Sequence, residues 1–186
     1  PVALPALNLF SPEEYLEYEE RSQDRHEYYD GHIIAMAGAS ARHMQIATNL
    51  ITALTNRFRE LRRPCRAFAS DARVYVDSSK YFYPDVSIFC GAVDMDEQSR
   101  MGNPQVVIEI LSPSTVAFDR NEKAAAYRAM PDLKQLVLID SGERGGVDYT
   151  RASDNSWIES NFSATARSIV IADVEITFDE LYEFDE

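Results

Sequence analysis

Hydrophobic positions recur along this chain with two periods, which predicts a protein that mixes helices and strands. The longest helical pattern covers residues 41–62, where apolar side chains return every three or four positions, and Pro64 ends it. The apolar positions of this pattern are Met44, Ala47, Leu50, Ile51, Leu54, Phe58 and Leu61. They predict an amphipathic helix of about six turns.

Signals near the N-terminus predict a capped helix followed by a hairpin. Ser11, Pro12 and Glu14 form the sequence of a helix start, in which the serine caps the helix and the glutamate reaches back to it. The stretch HEYYDGHIIAMAG then predicts two strands joined by a turn at Asp30-Gly31.

Three strand-like stretches follow the long helix and predict the centre of a sheet. They read RAFASDARVYV, YFYPDVSIFC and PQVVIEIL, and each is expected to form one strand. The stretches are close enough in sequence to form a meander. QLVLID predicts a fourth strand of the buried type. Because a helical stretch separates the third strand from the fourth, these two strands can run parallel.

The helix before the fourth strand is predicted in DRNEKAAAYRAM, with Asp119 as its N-cap and an end near Pro131. The remaining pattern predicts a hairpin, a further strand and a short terminal helix, in GVDYTRA with SWIESNFS, SIVIADVEITF and FDELYEF.

These elements predict an α/β (α+β) fold in which helices pack against a mixed sheet. The core order is helix, three strands, helix, strand, with an N-terminal helix and hairpin before it and further strands after it. Nothing in the composition marks a boundary, so residues 1–186 are expected to form a single domain of ordinary size.

The net charge of −13 argues against a surface that coats nucleic acid indiscriminately. The charge is uneven, however, because residues 56–66 contain five arginines and one glutamate. Arg57, Arg62 and Arg63 in this run are candidates for contacts to nucleic-acid phosphates. The alternative is that arginines near a helix C-terminus are favourable without any ligand.

Cysteine usage and the N-terminal sequence both suggest a cytoplasmic protein. Cys65 and Cys90 lie in strand-like stretches, and buried free thiols are expected rather than a disulfide. The chain has no apolar run of the length that a membrane span needs, and PVALPALNLF lacks the features of a signal peptide.

Two acids lie inside strand-like stretches, Asp85 in YFYPDVSIF and Glu109 in VVIEILS. A buried carboxylate is unfavourable unless it is paired, hydrogen-bonded or bound to a metal. If both acids point to the same edge of the sheet, Mg²⁺ would remove their repulsion, because it takes oxygen ligands and keeps several waters. Alternatively, each acid lies on the solvated face of a half-exposed strand. Asp71, on the strand before Asp85, is a further candidate on geometry alone.

Lys123 is the third candidate for chemistry, in a chain that has three lysines and fifteen arginines. It lies early in the helix that follows the Glu109 strand, and a crossover helix packs back on its sheet. A lysine there can orient an attacking water and stabilise charge that develops on a phosphate. The alternative is a solvated lysine that pairs with Asp119, four residues earlier.

The combination of Pro84-Asp85, Glu109 and Lys123 on this core resembles the PD-(D/E)XK nuclease superfamily. In the common form, the lysine lies two positions after the second acid, where this chain has Leu111. The sequence is similar to the branch in which the lysine has moved to the following helix, and Lys123 occupies that place.

More narrowly, the chain resembles the Uma-two family of proteins described as restriction endonucleases, over residues 10–184. The matching segments are HEYYDGHI, His43, YPDVSIF, VVIEILSPST, DRNEKAAAYR with Lys123 and Tyr127, QLVLID and the acidic C-terminal helix.

The resemblance implies that Asp85 and Glu109 are metal ligands and that Lys123 is the catalytic lysine. It implies two further site residues: Glu27, as a metal or water contact from the opposite side, and His43, as a phosphate contact or a base. Each also has a plainer interpretation. Glu27 is then a solvated acid beside a turn, and His43 a capping or packing residue.

The function that the resemblance implies is Mg²⁺-dependent hydrolysis of phosphodiester bonds, with Mn²⁺ as a substitute. The expected substrate is nucleic acid, DNA in the first place, and cutting of both strands implies a homodimer by analogy. The alternative is a catalytically inactive nuclease fold kept as a binding or partner-recognition module, which the acidic balance and Leu111 favour. A third possibility is a structural protein whose acids only solubilise a sheet.

Overall fold

The computed structural model describes residues 9–36, 38–97, 100–113, 115–163 and 165–183. Its helices are α1 (Pro12–Arg21), α2 (Ala41–Glu60), α3 (Val116–Phe118), α4 (Ala124–Ala129) and α5 (Phe178–Leu181), with a π-helical turn (Asp119–Lys123) between α3 and α4. Its strands are β1 (His26–Tyr29), β2 (His32–Ala35), β3 (Cys65–Ala69), β4 (Arg73–Asp77), β5 (Lys80–Phe82), β6 (Val86–Cys90), β7 (Arg100–Met101), β8 (Val106–Leu111), β9 (Gln135–Asp140), β10 (Gly146–Arg151), β11 (Trp157–Phe162), β12 (Ser168–Ile171) and β13 (Val174–Thr177).

A six-stranded sheet forms the centre of the fold, in the order β11-β10-β9-β8-β6-β3. Strands β3, β6 and β8 form the predicted antiparallel meander, and β8 and β9 form the predicted parallel pair. A second sheet has the order β2-β1-β5-β4-β7, and β12 pairs with β13. The mixed architecture of helices and strands confirms the predicted α/β (α+β) class.

Helices α2 and α4 pack on opposite faces of the six-stranded sheet. The core on the α2 side includes Ile46, Leu50, Leu54, Phe58, Val86, Ile88, Ile108, Ile110, Val137 and Ile139. The core on the α4 side includes Phe89, Val107, Leu111, Ala124, Tyr127, Leu136 and Leu138. Because side chains alternate along a strand, Glu109 shares the α4 side with Val107 and Leu111. It is only 3% exposed, which excludes a solvated strand acid at this position.

Two stretches that the sequence predicts as single strands are each divided between the two sheets. RAFASDARVYV turns between β3 and β4, where the backbone N–H of Ala72 donates to the carbonyl of Ala69. YFYPDVSIFC breaks between β5 and β6 at Pro84, which has no N–H to donate to a sheet. As a result, Asp85 lies where the chain passes from one sheet to the other.

The start of the helix after β8 also differs from the prediction. The helix begins at Val116, three residues before the predicted N-cap, and Asp119 opens the π-helical turn as a buried residue. The cap assignment was therefore wrong. Its physical reason is that the backbone N–H of Asp119 already donates to the carbonyl of Thr115 in the preceding turn.

The prediction of free cysteines was wrong as well, because Cys65 and Cys90 form a disulfide. These residues lie directly opposite each other on the paired strands β3 and β6, a register that the sequence pattern did not specify. In the described part of the chain, no helix has the length and apolar character needed to cross a membrane.

Replacing Leu50 with alanine should lower the free energy of unfolding by about 2–5 kcal/mol, since Leu50 is fully buried between α2 and the sheet. Met44 belongs to the predicted apolar face of the same helix but is 53% exposed. Met44→Ala should therefore change the free energy of unfolding by less than about 0.5 kcal/mol. Urea denaturation curves of both variants test this assignment, and equal effects would contradict it.

Candidate active site

The structure brings together all five residues that the sequence identified as candidates for catalysis. Glu27 comes from β1, Asp85 from the passage between the sheets, and Glu109 from β8. Lys123 ends the π-helical turn, and His43 lies in the first turn of α2. The five side chains thus come from four different elements and one connection, and they meet where the two sheets adjoin.

A buried ion cluster around Lys123 forms the deeper part of the site. The ammonium Nζ lies 2.8 Å from Oε1 of Glu109 and 2.9 Å from Oε1 of Glu27, and Oδ1 of Asp119 lies 3.6 Å away. The side chains in these three ion pairs are all at least nine-tenths buried. One ammonium therefore shares its charge among three carboxylates.

Neighbouring groups fix two of these carboxylates. The hydroxyl of Tyr127, one turn after Lys123 on α4, donates to Oε1 of Glu109 at 2.9 Å. The backbone N–H of Tyr83 donates to Oε1 of Glu27 at 3.1 Å. Because Tyr83 directly precedes Pro84-Asp85, this bond ties the Glu27 carboxylate to the segment that carries the Asp85 side chain.

Asp85 forms the more accessible part of the site, and both of its oxygens are engaged. Oδ1 lies 2.8 Å from Nε2 of His43, and Oδ2 accepts the backbone N–H of Ile110 at 2.7 Å. The register pairs Val86 with Ile108, so the chain at Asp85 continues to the position beside Glu109, and the Asp85 charge helps to raise the pKa of Glu109. The backbone N–H of His43 donates to the Ser40 side chain that caps α2, which fixes the first turn of the helix beside Asp85.

Burial and close charges shift several pKa values in the cluster. Burial raises the pKa of Glu109 to about 8; Lys123 opposes this shift, and the carboxylates of Asp85, Asp119 and Glu27 add to it. Burial alone would lower the pKa of Lys123, but the surrounding carboxylates outweigh it and raise that pKa above its ordinary value.

The His43 imidazole and the Tyr127 hydroxyl also titrate away from their ordinary values. The hydrogen bond to Asp85 raises the pKa of His43 against the opposing effect of burial. Burial, and then the charge of Glu109, raise the pKa of Tyr127, which keeps its hydroxyl protonated as a donor. For His43, the raised pKa favours the imidazolium form beside Asp85.

The oxygen donors of Asp85 and Glu109 fit a magnesium ion. Mg²⁺ commonly uses one or two protein carboxylates and completes its shell with water or substrate oxygens. Among the described residues, no three His, Cys, Asp or Glu side chains are arranged to hold one ion. Two carboxylates are the ligands that magnesium takes, whereas a structural zinc site is closed by four Cys or His ligands.

The arginine run lies away from this cluster, at the opposite end of α2. Arg57 is fourteen residues after His43, about 21 Å along the helix axis. Its guanidinium pairs with Glu180 at 2.8 Å, and Arg63 pairs with Asp173 at 3.0 Å. Arg62 is exposed beyond the end of the helix. The structure therefore does not bring these three arginines to the carboxylates.

Asp71 also lies outside the cluster, in the turn between β3 and β4. Its carboxylate is mostly exposed and pairs with Arg25 at 2.6 Å. Asp119 and Tyr127, in contrast, belong to the cluster, although sequence reasoning gave neither of them a role in the site. A signal was available, since both lie four residues from Lys123 in the same helical stretch, one on each side.

Comparisons with known proteins identify the family of this chain. The sequence model named Uma2 and described as "Putative restriction endonuclease" matches residues 12–178. Two proteins of Synechocystis sp. (strain ATCC 27184 / PCC 6803 / Kazusa), both called uncharacterized, are similar to the chain. The protein slr1290 is 37% identical over 158 residues, which is 84% of this chain and 82% of the relative. The protein sll1609 is 34% identical over 160 residues, which cover 84% of this chain and 89% of the relative.

A solved structure shares the fold. It is the crystal structure of a "putative nuclease belonging to DUF820" from Anabaena variabilis ATCC 29413. The TM-score is 0.74 at 18% sequence identity, and the match covers 93% of this chain and 97% of the other. At this identity the likeness concerns the fold, and it confirms the restriction-endonuclease-like architecture that the sequence predicted.

The pKa of Glu109 predicts how stability depends on pH in the metal-free protein. Its folded value of about 8 lies above its ordinary value of 4.5, so folding favours the protonated carboxyl. This stabilising contribution is complete below pH 4.5 and is lost as the pH rises through 8. Glu109→Gln keeps a neutral group, so between pH 6 and pH 9 its free energy of unfolding should fall less than that of the wild type. Urea denaturation in EDTA measures both; parallel pH profiles would refute the assignment.

Proposed function

Because this chain belongs to the Uma2 family of restriction-endonuclease-like proteins, we propose that it is a nuclease that hydrolyses phosphodiester bonds with Mg²⁺. The family supports a nuclease; the metal and the substrate are our proposal. The observation that carries it is the 2.8 Å contact between Nζ of Lys123 and Oε1 of Glu109. Leu111 occupies the usual lysine position on the strand, and here a lysine from the following helix reaches the second acid instead.

The charge of the cluster supports a divalent cation. Four carboxylates, those of Glu27, Asp85, Glu109 and Asp119, stand against the single ammonium of Lys123. Buried negative charge of this size is unfavourable without a cation or bound protons. Asp85 and Glu109 would hold Mg²⁺, or Mn²⁺ in its place. The ion would polarise the scissile phosphate and lower the pKa of a bound water.

Lys123 would stabilise the negative charge that develops on the phosphate and orient the attacking water. Glu27 would keep the ammonium in position through its 2.9 Å bond, and the bond from the Tyr83 backbone fixes Glu27 in turn. His43 has two compatible roles, because its imidazole both orients Asp85 and lies at the more accessible side of the site. Its raised pKa favours the cationic form, which attracts a phosphate oxygen.

We propose DNA as the substrate. Hydrolysis of both strands of a duplex would need two such sites, so a homodimer is the assembly that we propose with it. Supercoiled plasmid distinguishes the two patterns of cleavage: a monomer with one site produces nicked circles first, whereas a dimer also produces linear DNA directly.

Asp85→Asn and Glu109→Gln should each abolish Mg²⁺-dependent cleavage of plasmid DNA while leaving the fold intact, because each removes one charged metal ligand. Asp71→Asn is the matched control, since it removes the same charge from an exposed turn outside the cluster. The measurements are cleavage in Mg²⁺ or Mn²⁺ and the circular dichroism of each variant. If both site variants cleave like the wild type, the proposed function is wrong.

Calorimetry with Mn²⁺ separates an enzyme from an inactive binding module. The proposed function predicts measurable binding heat for the wild type, and much less for Glu109→Gln. A folded wild-type protein that binds no Mn²⁺ and cleaves neither DNA nor RNA would favour the inactive module. Cleavage of RNA but not of DNA would support the proposed metal-dependent hydrolysis and identify RNA as the substrate.

That the arginine run binds DNA is a separate hypothesis. The run lies some 20–30 Å along α2 from the cluster. Arg62→Gln should weaken DNA binding, measured by fluorescence anisotropy in Ca²⁺, and lower the salt slope of the affinity by about 1. Arg21→Gln is the control, because Arg21 is a well-exposed arginine on α1. Equal salt slopes for the two variants and the wild type would remove Arg62 from the interface.

A further inference from the structure

Asp119 has no assigned part in the reaction proposed above, although its position is unusual. It opens the π-helical turn and is buried with Lys123, whereas Arg120, Asn121 and Glu122 of the same turn are exposed. π-helical turns are rare and are frequent at functional sites. The turn therefore presents both of its buried charged residues to the same interior region.

Local structure does not explain why a carboxylate is buried here. Asp119 does not begin the helix, because Val116 precedes it and its own backbone N–H donates to Thr115. The carboxylate faces the ion cluster instead: Oδ1 lies 3.6 Å from Nζ of Lys123, which is an ion pair beyond hydrogen-bonding distance. Its charge also reaches Glu109 and His43, whose pKa values it helps to raise.

The three N–H donors of the Lys123 ammonium indicate a role for Asp119. An ammonium has three N–H donors, and Glu109 and Glu27 lie at hydrogen-bonding distance for two of them. A cation held by Asp85 and Glu109 would compete with Lys123 for the Glu109 carboxylate. Lys123 would then retain its contact with Glu27, and a second anion would be needed to hold its ammonium in place.

We propose that Asp119 is a positioning residue that holds the Lys123 ammonium beside the reaction centre once Glu109 binds the metal. The inference rests on the proposed function, since it assigns Glu109 to the cation. Asp119 and Glu27 then form the two anchors of the lysine, one from its own helix and one from the other sheet.

Single-turnover cleavage tests the catalytic side of this proposal. Asp119→Asn should lower the rate at saturating Mg²⁺ by about 10- to 100-fold, the usual cost of losing a group that orients a site residue. The Mg²⁺ concentration for half-maximal rate and the DNA affinity should stay within about twofold of the wild type. Asp119→Glu should restore part of the rate. Glu122→Gln, which removes an exposed carboxylate from the same turn, should cleave like the wild type.

Chemical labelling of the lysines tests the position of Lys123 without any cleavage. The chain has only three lysines, so acetylation by an amine-reactive ester can be followed at each by mass spectrometry. In EDTA, Lys123 should label equally slowly in the wild type and in Asp119→Asn, because Glu109 and Glu27 still hold it. In Mg²⁺, its labelling should rise several-fold in Asp119→Asn alone, with Lys80 and Lys134 unchanged.

The two measurements separate the two proposals. If the wild type cleaves DNA but Asp119→Asn cleaves at the same rate, the inference about Asp119 falls and the nuclease stands. If Asp119→Asn weakens Mg²⁺ binding in step with the rate, Asp119 is a ligand and the positioning role is refuted. If the wild type does not cleave, the nuclease proposal falls. Labelling of Lys123 that changes only in Mg²⁺ would still support its anchoring by Asp119, and unchanged labelling would overturn it.

Discussion

The buried ammonium of Lys123 is the interaction on which the rest of the site depends. It stands between Glu109 and Glu27 at hydrogen-bonding distance, and Asp119 adds a third negative charge. Without it, three carboxylates would repel one another in the interior, where such charges interact strongly. Lys123 offsets part of this repulsion, and its charge opposes the effect of burial on the pKa of Glu109.

The polypeptide reaches this arrangement through ordinary rules of secondary structure. Alternation along β8 directs Glu109 to the side of the sheet on which α4 packs. The crossover from β8 to its parallel neighbour β9 carries that helix back over the sheet, and the π-helical turn places Lys123 in the interior. Pro84 then interrupts the neighbouring strand, so that Asp85 bends toward the same place.

The sequence predicts the elements that hydrophobic periodicity determines, but it does not predict features that depend on how distant strands pair. The period of α2, the turn at Asp30-Gly31 and the parallel β8–β9 pair all follow from patterns within short windows. The exchange of strands between two sheets and the Cys65–Cys90 disulfide depend on register between distant segments, which one sequence does not specify. The sequence predicts Asp119 as a cap because aspartate favours helix starts; the burial of its carboxylate comes from tertiary packing that outweighs this preference.

The contact between Glu27 and Lys123 also has a consequence for folding. It joins residues 96 positions apart, and it links the N-terminal sheet to the helix of the central one. Contacts that close such long loops form late, because their entropic cost has to be met by structure already in place. A chain that has folded its central sheet but has not yet docked its first hairpin would therefore hold its lysine with one anchor fewer. Completion of the site and completion of folding would then be the same event.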